Sequence, residues 1–151
     1  MKTDIKAMEF SLKNENGEEV TLSQFRGKKV LLSFHPLAWT EICAKQMQSL
    51  EKNKNTFDAL DTVALGISVD TVPSKKAWAE HLDVEKTKLL SDFWPHGDVS
   101  KLYDNFIDKF GFSGRANIIV DEQGVIIFAK RYRIKELPDI KDIIEFLRKL
   151  Q

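Results

Sequence analysis

Apolar residues cluster along this chain in two different rhythms. Val30-Leu31-Leu32-Ser33-Phe34 and Val63-Ala64-Leu65-Gly66-Ile67-Ser68-Val69 run without a charge, the pattern of strands buried on both faces, and the first is expected to be parallel to its neighbour. Between them, from about Thr40 to Leu60, the rhythm turns helical. Ile42, Met47, Leu50, Phe57 and Leu60 share one face, with Lys45, Glu51, Lys52 and Lys54 away from it. Phe10–Leu12 and Glu19–Leu22 alternate on either side of Asn16-Gly17, which predicts a hairpin. Ser23–Gly27 reads as one helical turn ended by glycine. Further on, Asp70 opens a loop, and Pro73-Ser74 starts a helix carrying Ala77, Trp78 and Leu82. Leu89-Leu90-Ser91 predicts a short strand and residues 92–97 a loop. Val99, Leu102, Tyr103 and Phe106 recur at helical spacing. Ala116–Asp121 and Val125–Ala129 flank Glu122-Gln123-Gly124 as a second hairpin, and Leu137 to Leu150 form an amphipathic helix.

Strands alternating with helices imply right-handed crossovers and a sheet covered on both faces. The late hairpin makes that sheet mixed. The fold class expected is therefore α/β, a thioredoxin-like fold with a central mixed β-sheet flanked by helices and an N-terminal hairpin. No repeat, low-complexity stretch or linker divides the chain, so residues 1–151 are read as a single domain.

Composition narrows the partners. Lys+Arg and Asp+Glu each total 23, which argues against nucleic acid or an anionic membrane surface as partner, since both favour a basic excess. No apolar run approaches the roughly 18 residues of a membrane span, and Met1–Lys6 lacks the apolar core of a signal peptide. One cysteine cannot close an internal disulfide, so a reducing, cytoplasmic compartment is expected. Three scattered histidines and that cysteine make no metal set, and no cofactor is expected.

Cys43 itself falls at the first turn of the helix that follows the first buried strand. A thiol there meets unpaired backbone N–H groups and the positive end of the helix dipole, which favour the thiolate. A buried structural cysteine is the bland alternative, but strand-to-helix turns of α/β sheets are where ligands bind. Thr40 sits near the N-cap, and Pro36 ends the strand.

The spacing Pro36-x-x-x-Thr40-x-x-Cys43 after a buried strand resembles the active-site signature of the peroxiredoxins. Leu89–Gly97, Val99-Ser100 and Tyr103, with Pro36-Leu37-Ala38 before an aromatic, resemble in particular the alkyl hydroperoxide reductase E type of one-cysteine peroxiredoxin in the AhpC/TSA family. The resemblance implies a thiol-dependent peroxidase. Cys43 would attack hydrogen peroxide or an alkyl hydroperoxide and become a sulfenic acid. Thr40 would orient the peroxide, and Pro36 would shield the sulfur. Arg115, at the family's arginine position in Gly114–Asp121, would stabilise the thiolate and hold the peroxide oxygens. One subgroup carries a resolving cysteine five residues downstream, where this chain has Gln48, so an external thiol must recycle the enzyme: thioredoxin-like, glutaredoxin-like or low-molecular-weight. Many relatives place a glutamate where Gln46 stands, so a looser grip on Arg115 is expected. His35 is expected to be structural or pocket-lining, and His81 and His96 to lie on the surface. A homodimer with Trp39 and the Phe93–Pro95 loop near its interface is expected. A peroxide-sensing redox relay using the same cysteine, or an inert thioredoxin-like module, are the alternatives.

Overall fold

The computed structural model describes all 151 residues, Met1–Gln151. In chain order its elements are β1 (Ile5–Lys6), β2 (Ser11–Lys13), β3 (Glu19–Thr21), a 3-10 turn at Ser23–Phe25, β4 (Lys29–Phe34), α1 (Glu41–Lys52), α2 (Lys54–Ala59), β5 (Thr62–Ser68), α3 (Val72–Leu82), β6 (Lys88–Ser91), α4 (Asp98–Leu102), β7 (Phe106–Ile107), β8 (Phe112–Ser113), β9 (Arg115–Val120), β10 (Val125–Tyr132) and α5 (Ile140–Lys149). Eight strands form one sheet in the order β1-β10-β9-β4-β5-β6-β2-β3, and β7-β8 form a separate pair.

Every residue of β4 is buried, the uncharged run Val30–Phe34 as expected and Lys29 with it. It is parallel to β5 on one side and antiparallel to β9 on the other, so the expected parallel strand is parallel to one neighbour only. The two-residue period of the strand sorts the core into two faces. Val30, Leu32 and Phe34 join Phe10, Val20 and Tyr103 on one face. Leu31 joins Cys43, Met47, Leu50, Trp78, Ile119 and Ile143 on the other, beneath α1, α2, α3 and α5. No helix is long and apolar enough to cross a membrane.

Both hairpins form as expected, with registers such as Leu12↔Val20 and Ala129↔Ile118. Other expectations are corrected. The single helix from Thr40 to Leu60 is broken at Asn53, where the Asn53 side chain and backbone both bond the Ser49 carbonyl. Such local bonds compete with helix continuation. The helix through Phe106 stops at Leu102, because Asp104 adopts φ 54° and Asn105 N returns to Ser100 O. Phe106 instead pairs with Ser113. The last helix starts at Ile140, not Leu137: Pro138 disfavours helical backbone at the residue before it, and the Asp139 side chain caps Lys141 N.

Candidate active site

The turn from β4 into α1 carries the cysteine. Thr40 is the N-cap residue, Cys43 is the third residue of α1, and the helix's first backbone bond runs from Ala44 N to Thr40 O at 2.9 Å. The N–H groups of Glu41, Ile42 and Cys43 therefore have no partner within the helix. Together with the helix dipole they turn positive charge toward the sulfur. The Thr40 hydroxyl does not cap the helix. It donates to Leu37 O at 2.7 Å, fixing the shape of the Pro36–Thr40 loop.

Arg115 arrives from the first position of β9, two strand positions from Asn117 and four from Ile119, on the face that α1 covers. Its Nη1 donates to Cys43 Sγ at 3.4 Å and to Gln46 Oε1 at 2.6 Å. Its Nε and Nη2 both donate to Ile134 O, at 3.0 and 2.7 Å, just beyond β10. Gln46, one helical turn after Cys43, donates from Nε2 to Ser33 Oγ and Phe34 O. The expected looser grip is not what the structure shows: the uncharged amide holds the guanidinium on one side while the strand holds the amide on the other.

Cys43 is fully buried yet sits at a cavity of about 450 Å³. Pro36, Thr40, Cys43 and Arg115 all line it, with Phe112, Ile134 and Lys135. The four residues singled out in the sequence thus share one pocket. Phe112 and the Ile134 carbonyl were not foreseen. Phe112 lies in a two-residue strand without periodicity, and Ile134 acts through its backbone, which leaves no side-chain signal. Asp70 was also missed. Its Oδ2 accepts from Ala38 N at 2.8 Å and Ser68 Oγ at 2.5 Å, anchoring the loop from beneath.

His35 is buried, and its imidazole meets Lys75 Nζ at 2.7 Å instead of Cys43. Burial, and then the charge of Lys75, hold it well below the usual histidine range. His81 and His96 are solvent-exposed, and no group of three or more His, Cys, Asp or Glu side chains could hold a metal ion.

A thiol at a helix N-terminus, gripped by a fixed guanidinium inside a small cavity, agrees with relationships across the whole sequence. Residues 4–129 match the AhpC/TSA family. This chain is a peroxiredoxin. It is 41% identical over 134 residues to alkyl hydroperoxide reductase E of Mycobacterium tuberculosis, covering 88% of this chain and 87% of that protein. It is 30% identical over 151 residues to peroxiredoxin 2 of Thermoplasma acidophilum, covering 97% and 74%. The reduced 2-Cys peroxiredoxin of Plasmodium vivax superposes over 100% of this chain and 82% of that one, with a TM-score of 0.90 at 26% identity. The peroxiredoxin fold positions Cys43 through the β4–α1 turn and Arg115 through β9.

Proposed function

We propose that Cys43 is the peroxide-reducing nucleophile of this thiol-dependent peroxidase, and that Arg115, Thr40 and Pro36 complete its active site. The Arg115 Nη1–Cys43 Sγ contact of 3.4 Å carries this reading. The guanidinium and the helix N-terminus favour the thiolate. The thiolate sulfur attacks one oxygen of hydrogen peroxide or an organic hydroperoxide. An S–O bond forms, the O–O bond breaks, and its electron pair leaves on the distal oxygen, which is protonated to water or an alcohol. Arg115 and the N–H of Cys43 stabilise the charge spreading over the two oxygens. Thr40 presents its hydroxyl to the peroxide, and Pro36 walls the cavity against water.

Cys43 sulfenic acid then condenses with an external thiol, releasing water and leaving a mixed disulfide. A second thiol displaces Cys43 and carries away the disulfide. No second cysteine exists in the chain to do this internally. The reductant class is a thioredoxin-like or glutaredoxin-like protein, or a low-molecular-weight thiol. The peroxiredoxin relationships favour catalytic turnover over a relay role.

Residues 1–151 are read as one domain because both core faces share the single eight-stranded sheet. One reactive thiol and no disulfide suit the cytoplasm. A homodimer through the exposed aromatics beside the site completes the proposal. The decisive experiment is stopped-flow tryptophan fluorescence with hydrogen peroxide and an alkyl hydroperoxide, followed by mass spectrometry of Cys43. Cys43→Ser is expected to abolish peroxide consumption with the fold intact; turnover persisting in that variant would overturn the assignment.

A further inference from the structure

Two buried bases face each other beside the active-site loop. Lys75 lies in the first turn of α3 and His35 directly follows β4; neither has any solvent exposure. Lys75 Nζ is 2.7 Å from His35 Nε2, while His35 Nδ1 lies 3.4 Å from Ser33 O. The consistent arrangement is an Nδ1–H tautomer whose Nε2 accepts from the lysine. The Trp78 ring closes the site, 5.5 Å from Nζ and 5.5 Å from the imidazole centroid. A fully buried lysine without a salt bridge is costly, and the first turn of a helix is an unfavourable place for a cation.

We propose that Lys75 is a positioning residue for the Cys43 loop: held against His35, its ammonium fixes the corner leading into Pro36. This rests on the peroxidase reading of Cys43. The geometry grips the loop at both ends. His35 is anchored by its backbone N to Ile67 O at 2.9 Å as well as by both ring nitrogens. Asp70, the carboxylate whose charge acts most strongly on Lys75, accepts from Ala38 N three residues later. Between these anchors lie Pro36 and Leu37, both of which line the cavity.

Charged groups on several elements act on the pair. Burial pushes Lys75 down to about 7, and Asp70 after β5, Cys43 on α1 and Glu15 in the first hairpin act against that shift. Arg115 on β9 bears on His35, while Lys76 and Glu80 on α3 itself are exposed. A charged Lys75 donates to His35 Nε2 more strongly than a neutral amine would.

Lys75→Met removes the charge while nearly keeping the volume, and His35→Phe/Lys75→Met also removes the imidazole left unpaired. Oxidation of Cys43 by hydrogen peroxide is followed by tryptophan fluorescence across pH. Lys75 is charged below its midpoint of about 7 and loses its proton above it. Below that midpoint, where the charge-assisted bond to His35 holds the corner, both variants are expected to oxidise about tenfold more slowly than the wild type. The gap closes as pH rises through it. A rate ratio independent of pH would show that Lys75 only fills space and would overturn the proposal. Should the variants fail to fold, NMR of isotope-labelled lysine and histidine in the unaltered chain replaces them. The Lys75 ε-methylene resonance is expected to titrate near neutrality, with the His35 Nε2 resonance shifting through the same midpoint. A His35 Nε2 resonance that does not move through that midpoint would overturn the proposal. Peroxide consumption that survives Cys43→Ser would sink the peroxidase reading and this proposal with it, whereas an active, Cys43-dependent enzyme with parallel pH profiles sinks only the role of Lys75.

Discussion

Arg115 uses four of the five N–H groups of its guanidinium within the protein. Nε and Nη2 share the Ile134 carbonyl, and Nη1 divides between Gln46 Oε1 and Cys43 Sγ. One N–H on Nη2 is left, on a group that lines the cavity. A peroxide oxygen is the ligand proposed for it. Arg115→Ala is therefore expected to slow Cys43 oxidation about a hundredfold, the scale of losing one donor to a developing oxyanion. Arg115→Lys recovers little, because a single ammonium cannot reach Ile134 O and Gln46 Oε1 together. Gln46→Ala leaves a buried N–H of Arg115 and the Ser33 hydroxyl without their partner. About 1–3 kcal/mol of stability is expected to be lost, with slower oxidation because the guanidinium is freed on one side. Stopped-flow rates and thermal melts check all three variants. A Gln46→Ala protein that melts and reacts like the wild type would show the amide is not what fixes Arg115.

The helix that carries the cysteine is set against the sheet by a missing side chain. A Cβ on Gly66 of β5 would lie 2.3 Å from Met47 Sδ and 2.9 Å from Leu89 Cδ2. Met47 belongs to α1, one turn after Cys43. Gly66→Ala is expected to cost about 1–3 kcal/mol by overpacking, because the buried Met47 and Leu89 side chains are forced to repack. Pairing it with Met47→Ala reopens the space and is expected to recover much of the stability, as read from thermal melts of the single and double variants. The role of Gly66 was legible in the sequence because a glycine inside an apolar strand marks a close approach. So were the buried strands and both hairpins, whose periods are set by burial and turn chemistry alone. The helix break at Asn53 was not legible, since the apolar spacing of Met47, Leu50 and Phe57 continues across it. The fate of Phe106 was hidden too, because it depends on pairing with Ser113 and on the left-handed Asp104. At the site, Pro36, Thr40 and Cys43 lie close in sequence and were found together. Arg115 lies 72 residues from Cys43 and could be named only through family resemblance. Lys75 and Ile134 had no pattern to announce them, as one is a lysine among lysines and the other contributes a carbonyl.

At the scale of the whole molecule, the active-site end of the sheet is the aromatic end. Trp39 is 53% exposed, Phe93 46% and Trp94 80%. Trp39 holds a left-handed φ of 67°, uncommon for so large a residue, and its indole donates to Ser74 Oγ on α3. Phe93 and Trp94 share a surface depression with Val72, at the start of that same helix. The first turns of α3 thus connect the two groups of rings into one patch. Large rigid aromatics held outward are what a protein interface needs, since they bring area with little loss of side-chain freedom. A lone chain leaves this area in water, and a twofold dimer that pairs the patch with itself would bury it. Light scattering after size exclusion is expected to give twice the chain mass at micromolar concentration, and Trp94→Glu is expected to give the monomer. Because Trp94 does not line the Cys43 cavity, its loss should leave the peroxide-oxidation step intact in an otherwise folded chain. A wild type that stays monomeric at that concentration would refute the assembly while leaving the chemistry of Cys43 untouched. A Trp94→Glu monomer that oxidises slowly would instead show that the partner's surface helps hold the Pro36–Thr40 loop, through Trp39, in its reactive shape.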